Sequence, residues 1–391
     1  MGSPLVQGGR SVKKAVLWSL VILALPSPIH SQSSQFGIRG LGLPIRPLSP
    51  RAIATGGAFG LFDIESSLNP AATASVLQFT SLFSSAQNFR TSTNPFGSSS
   101  GKDNRFPQII AVGPVGGTPL GVSISMSGYT DRNFALGTAD TIDLRGARVG
   151  VFDTLISRGG LSDLRLAGGW RVSSGLQVGL GFHAITGSNR IENRRTFADS
   201  SYAIASERST LSYLGLGLSA GASFRVMPRL TVAGMFRTDG HLDIDRDTTR
   251  IARTDLPTSF GLGARWQPSL KVALAASYSG KRWKASDADI RAQGGIGAEN
   301  ASEVSGGIEL LRDPKNPGHR PWRLGGYYAT LPFPVRAGRQ PHEFAISAGT
   351  GFRFTSGRGG FDLALQRVWR SDGGGYTEQA TVVTFGISLR P

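Results

Sequence analysis

LGLGLSAGASFRV, residues 214–226, alternates without a break. Successive side chains of an extended chain point to opposite faces, so Leu214, Leu216, Leu218, Ala220, Ala222, Phe224 and Val226 share one face. The other face carries Gly215, Gly217, Ser219, Gly221, Ser223 and Arg225. One side is greasy and the other is small or polar. A strand of a soluble sandwich alternates as well, so the decision between a water-facing and a lipid-facing sheet rests on strand length and on what joins the strands.

The same period of two returns in LQVGLGFHAIT (176–186), FGLGARW (260–266), SLKVALAASYSGK (269–281) and EFAISAGTGFRF (343–354). Strands are expected near 75–90, 106–116, 119–130, 161–172, 174–186, 210–226, 228–240, 256–267, 269–284, 301–313, 319–331, 342–356, 358–371 and 377–389. Most exceed the ~5 to 6 residues of an average globular strand and meet the ~9 to 11 that cross a bilayer. Short joins such as Gly117-Thr118, Met227-Pro228, Pro268 and PKNPG alternate with longer ones over 91–105, 131–160, 187–209, 241–255, 285–300 and 332–341. Antiparallel strands then collect all short turns at one end and all long loops at the other. The expected fold is all-β: a transmembrane antiparallel barrel of about 14 strands, its apolar face toward lipid and its glycine, serine and arginine face toward the lumen. Trp170, Trp266, Trp283, Trp322, Tyr328 and Trp369 lie near strand ends and suit interfacial girdles.

Composition agrees and removes alternatives. The 391 residues include 53 glycines without a Gly-X-Y period, which excludes collagen, and no cysteine, which excludes disulfides, thiolate metal sites and cysteine nucleophiles. The net charge of +16 is spread along the chain and forms no stripe suited to nucleic acid. No HExxH or phosphate-loop pattern occurs, so no metal, cofactor or catalytic residue is assigned. His183 and Ser188 suggest a barrel-wall hydrolase, but their odd spacing puts them on opposite faces. At the N-terminus Arg10, Lys13 and Lys14 precede the apolar run Ala15 to Leu25 and a small residue, Ser31. That order is an export signal, with residues 1–31 as the signal peptide, 32–74 as a separate N-terminal segment and 75–391 as the barrel.

The segment ahead of the first strand, RAIATGGAFGLFDIESSLNPAATA (51–74), is too apolar for a linker. Gly56 and Gly57 permit backbone conformations closed to other residues, Asp63 or Ser66 can cap a short helical turn, and Pro70 constrains Asn69 before it. Such a segment either folds into the lumen as a plug or lies beneath the barrel as a lid. It resembles the N-terminal signature of FadL-type outer-membrane transporters and their PorV-like relatives, through Gly56, Gly57, the spaced acidic stretch and Asn69-Pro70-Ala71. LPTSFGLGARWQPSLKVALAASYSGKRW (256–283) and the runs FAISAGTGFRF, FDLALQRVW and TVVTFGISL near the C-terminus are similar too. The end ISLRP departs from outer-membrane barrels in lacking a terminal aromatic, leaving Phe385 as the nearest.

The resemblance implies a fourteen-stranded barrel with an N-terminal plug in the bacterial outer membrane. It further implies passive uptake of hydrophobic compounds, fatty-acid-like or aromatic, along a plug-gated path. The PorV-like alternative is a scaffold whose partner is a secreted or surface protein. From the residues themselves, the apolar loop 131–160 with Phe134, Leu136, Val149, Val151, Phe152, Leu155 and Ile156 is the candidate ligand groove. The remaining expected partners are outer-membrane lipid and lipopolysaccharide, whose phosphates the basic stretch NRIENRR (189–195) could meet.

Overall fold

The structure, a computed structural model, describes residues 34–313 and 320–391. The expected signal peptide lies outside the described residues. Fourteen wall strands follow one another around a closed circuit: β1 (Thr80–Asn94), β2 (Gln108–Pro114), β3 (Leu120–Asp131), β4 (Ala147–Arg171), β5 (Leu176–Phe197), β6 (Ala205–Met227), β7 (Leu230–Arg246), β8 (Thr258–Ser269), β9 (Val272–Lys281), β10 (Ala301–Leu310), β11 (Trp322–Thr330), β12 (His342–Phe354), β13 (Gly359–Ser371) and β14 (Thr377–Leu389). Every sequential pair is antiparallel, and β14 closes onto β1 from Thr377↔Thr93 to Leu389↔Ser81. Closure leaves no unpaired sheet edge for a bilayer to solvate.

The fourteen strands inferred from alternation are all present, but the connections expected over 91–105, 131–160, 187–209 and 241–255 are largely ladder. Gly97–Arg105 returns along β1, Phe134–Leu144 along β4 and Thr249–Asp255 along β7, while β5 runs on to Phe197. These extensions need no greasy face because they rise beyond the apolar belt. Their backbone ladders hold them, and exposed cross-strand ion pairs accompany these, such as Arg195 Nε to Asp153 Oδ1 at 2.6 Å and Arg253 Nε to Asp243 Oδ1 at 2.8 Å.

The two faces divide as the pattern requires. Leu164, Leu166, Leu180, Phe182, Leu214, Leu216, Leu218, Leu262, Val304, Leu324, Ile346 and Leu365 are exposed on the outer wall. A continuous belt of that size is unfavourable in water and is stabilised by hydrocarbon. Trp170, Trp266, Trp322 and Tyr328 are exposed on the same outer wall. Trp283 departs from the girdle expectation. It sits in a 3-10 turn (Trp283–Ser286), is only 1% exposed, and packs edge-on against Phe333 with ring centroids 5.1 Å apart. The connection after β9 folds back into the barrel mouth, so this indole helps fill an apolar cluster with Leu41, Leu161, Ile185, Leu211, Tyr213, Leu242 and Ile244.

Candidate functional site

Residues 34–76 occupy the lumen as a plug. Their side chains and backbone reach wall strands all around the circuit, which only a segment inside the barrel can do. Gln108 of β2 bonds the Glu65 carbonyl, Thr73 reaches the Gly121 carbonyl of β3, and Arg171 of β4 donates to the Ala74 carbonyl at 2.8 Å. Asn69 reaches Ser223 of β6, Arg46 and Arg51 reach Glu303 and Glu309 of β10, and Ser34 donates to Glu378 of β14.

Local chemistry sets the plug's turns. Ser49 caps a single helical turn, α1 (Pro50–Ala54), by accepting the Ala52 N–H at 3.1 Å, with Pro50 at the first position where its missing N–H costs nothing. Gly56 and Gly57, at φ 67° and 97°, end that turn in the left-handed region. Arg46 donates to the Gly56 carbonyl at 2.7 Å. Asn69, extended as a residue before proline must be, opens the 3-10 helix Pro70–Ser75. Its Oδ1 accepts the Ala71 N–H at 3.0 Å, and its Nδ2 donates to the Leu61 carbonyl at 3.0 Å and to Ser223 Oγ at 3.3 Å. The capping role expected of Asp63 or Ser66 therefore falls to Ser49 and Asn69. Asp63 instead gathers the Ser49 and Ser66 hydroxyls and the Glu65 N–H.

The wall is cut to receive these turns. Gly121, Gly169, Gly179 and Gly221 face inward in register on four successive strands, β3 to β6. A Cβ on Gly121 would lie 2.0 Å from the Thr73 carbonyl oxygen, on Gly179 2.4 Å from the Pro70 carbonyl carbon, and on Gly221 2.0 Å from Asn69 Oδ1. Across the lumen, Gly307 and Gly325 stand opposite each other on β10 and β11 and leave the same kind of room for Thr55. The plug is thus seated in two glycine sockets. Ion pairs add to them: Arg46 to Glu303 at 2.6 Å, Arg51 to Glu309 at 2.7 Å, with Glu309 also taken by Arg323 at 2.9 Å, and Arg390 to Glu65 at 3.2 Å.

Beside the seated plug the wall is incomplete. The β2–β3 ladder stops at Gln108↔Ser127, followed by one further bond from the Gly128 N–H to the Pro107 carbonyl. The return strand Gly97–Arg105 pairs with β1 only, and the β3–β4 register shifts between Gly128 and Thr130. The free edge of β3 is taken by the plug: Leu43 pairs with Asp131, Pro44 with Thr130, and the Ile45 N–H donates to the Tyr129 carbonyl at 2.9 Å. An ion pair from Arg105 to Asp131 spans the same gap. Behind it lies a cavity of about 350 Å³ with an apolar side of Leu43, Ile45, Leu48, Phe106, Val368 and Val382 and a polar side that includes Arg46, Asn88, Asp131, Glu343 and Arg370. A second recess of about 230 Å³ opens at the mouth between Leu41, Ile191, Leu211, Tyr213, Ile244, Ile251 and Ile290. The former is of the size that takes small ligands, ~300 to 1,000 Å³.

Of the sequence-derived site residues, Gly56, Gly57, Asn69, Pro70 and Ala71 lie in the plug, all but fully buried. The proposed groove residues are split by a hairpin. Phe134, Leu136, Val151 and Leu155 share one face through the pairs Phe134↔Ser157, Leu136↔Leu155 and Asp140↔Val151, and Phe152 and Ile156 lie on the other. They do not line either cavity named above. The residues that do were missed because Leu43 to Ile53 looked like generic plug, and Ile244, Ile251 and Ile290 belong to connections.

A Ser–His–Asp chain also escaped notice. His183 Nδ1 lies 2.9 Å from Asp163 Oδ1 and its Nε2 2.9 Å from Ser219 Oγ. Ser188, the partner weighed from sequence, is not involved. Asp163 and Ser219 come from strands on either side of β5, so local spacing could not pair them. Arg237 joins Asp163 at 2.5 Å and also holds Asp239, tying β4, β5, β6 and β7 together.

No protein-family model matches the chain, and no curated protein matches it. Solved structures do. A Pseudomonas aeruginosa FadL homologue aligns at TM-score 0.61 and 13% identity, covering 89% of this chain and 99% of that one. The monoaromatic hydrocarbon channel CymD aligns at 0.55 and 14%, covering 89% and 98%. The Pseudomonas putida toluene transporter TodX aligns at 0.55 and 12%, covering 89% and 99%. The fold is that of FadL-type outer-membrane channels; the PorV-like half of the resemblance draws no separate support from these structures.

Proposed function

We propose that the protein is an outer-membrane barrel through which small hydrophobic compounds pass passively, from the apolar recess at the mouth, past the plug, and out sideways between β2 and β3 into the bilayer. The carrying observation is the cavity, part aliphatic and part polar, at the stretch where β3 exchanges its wall partner for the plug strand Leu43–Pro44. Plug and gate are then the same object. A shift of that strand breaks few hydrogen bonds and uncovers a route whose sides are Phe106 and Pro107 on one hand and Gly128 and Thr130 on the other. The names of the solved relatives, toluene and monoaromatic channels, suggest compounds of that class.

The chain has no cysteine, so a paired substitution Pro44→Cys with Thr130→Cys creates a single bridge between directly opposite residues. In liposomes, uptake of an aromatic hydrocarbon or fatty-acid probe should exceed that of hydrophilic solutes, stop in the oxidised double variant and return on reduction. If neither kind of solute enters the unlocked protein, the transport reading fails and a protein-binding scaffold becomes the better account. If uptake persists in the bridged form, the side route is wrong while transport stands.

A further inference from the structure

The outer wall of β4 to β6 changes character just above its apolar belt. Climbing β5, the outward residues run Val178, Leu180, Phe182, Ala184, Thr186, Ser188 and then Arg190. At ~3.3 Å per residue and a tilt of ~40°, the twelve steps from Val178 to Arg190 climb about 30 Å, just past an apolar band of ~25 Å. Arg190 therefore stands at headgroup level. Directly opposite it on β4 is Arg158, and on β6 Thr210.

Two like charges facing each other across a ladder destabilise it. Among the described residues neither guanidinium meets a carboxylate. The two acids of the surrounding recess, about 460 Å³ in volume, are already engaged. Glu192 takes Arg208 at 3.3 Å, and Asp247 accepts the Thr210 N–H at 3.2 Å. A guanidinium pair is matched to the oxygen geometry of a phosphate. The recess opens outward, on the same wall as the exposed belt residues Phe182, Leu214 and Leu216. Its occupant must present an anion at the level of the arginines and hydrocarbon immediately below.

We propose that Arg158 and Arg190 form a phosphate-binding site on the outer wall for the phosphorylated glycolipid of the outer leaflet, lipopolysaccharide. The lipid's acyl chains lie down the β5–β6 face and its phosphate bridges the two guanidinium groups. This site is separate from the transport path and stands or falls without it.

The test uses the full barrel, delipidated in detergent and titrated with lipid A carrying its phosphates, with chemically dephosphorylated lipid A, and with phosphatidylglycerol, binding being read by native mass spectrometry. Phosphorylated lipid A should bind best. The double variant R158Q/R190Q should weaken it about thirtyfold, from a roughly fivefold contribution of each surface arginine. K271Q, in the turn at the opposite rim, should not. In lipid-free detergent the double variant should melt no lower than the parent, because it removes a repulsion, whereas only the parent should gain from added lipid A. If the double variant fails to fold, R158Q alone carries the same prediction at reduced size. Equal binding of the dephosphorylated lipid, equal binding of phosphatidylglycerol, or undiminished binding by the variants overturns the proposal.

Discussion

Asn69 holds the plug through three bonds in three directions: back to Leu61, forward to Ala71, and sideways to Ser223 of the wall. It is fully buried, so Asn69→Ala leaves the Leu61 carbonyl and the Ala71 N–H without those partners, at a cost of about 1 to 3 kcal/mol for each buried group left unpaired. That cost falls on the seating of the plug and not on the wall ladder. Amide exchange over 61–75 should accelerate in Asn69→Ala while the barrel's melting stays put, and Asn69→Asp, which keeps the acceptor for Ala71, should lie between. Ser219 invites the opposite experiment. Its bond to His183, and that of His183 to Asp163, has the order of a nucleophile relay. Ser219, however, is only 4% exposed, and a single added carbon on neighbouring Gly181 would come within 2.6 Å of its hydroxyl. A tetrahedral intermediate has no room there, and Arg237 already answers the Asp163 charge. The intact barrel should therefore resist a fluorophosphonate probe. Labelling that is lost in Ser219→Ala would reverse this reading and make the lumen wall a hydrolase.

At the scale of elements, the row Gly121, Gly169, Gly179 and Gly221 converts four neighbouring strands into one socket. Gly179→Ala places a methyl against the Pro70 backbone, which cannot swing aside as a side chain can. The 3-10 helix Pro70–Ser75 should lift from the wall, and trypsin should gain access to Arg51, which stays protected in the parent. Gly168→Ala is the control: it faces lipid on the same strand as Gly169, with nothing nearer than 3.8 Å to the added carbon. Strand by strand, the wall was legible in the sequence because lipid on one side and lumen on the other impose a period of two on each segment separately. The socket was not. Each of its glycines looks like any strand glycine, and their common level arises only from register between residues up to a hundred positions apart. The same holds for Asp163, His183 and Ser219, and for the pairing of Leu43 with Asp131, where a plug residue completes a wall. Loop extents were misjudged for a different reason: ladders that leave the membrane lose the apolar signal while keeping their hydrogen bonds.

For the molecule as a whole, wall and plug depend on each other unequally. The circuit from β1 to β14 closes through wall strands alone, so the barrel's hydrogen bonding does not need the plug except along the upper edge of β3. The plug, with one helical turn and two 3-10 turns, is too short to be stable as a free helical unit. Its order comes from glycine sockets and from partly buried ion pairs with the wall, Arg46 to Glu303, Arg51 to Glu309 and Glu65 to Arg390. Removing residues 34–75 therefore should leave a barrel that inserts and resists denaturation, but with Glu303 stripped of Arg46 and Glu309 of Arg51. Glu309 keeps Arg323, but Glu303 loses its arginine, and an unpaired charge is unfavourable away from water, so the emptied lumen should hydrate. Planar-bilayer recording then should find the parent closed to ions and the truncated barrel conducting, with hydrophilic dyes entering liposomes that excluded them before. The selectivity for apolar probes should fall at the same time, because a water-filled bore no longer favours hydrocarbon over polar solutes. A truncated barrel that stays shut to ions would mean that the wall side chains close the lumen by themselves, and the proposal that the plug is the gate would fail.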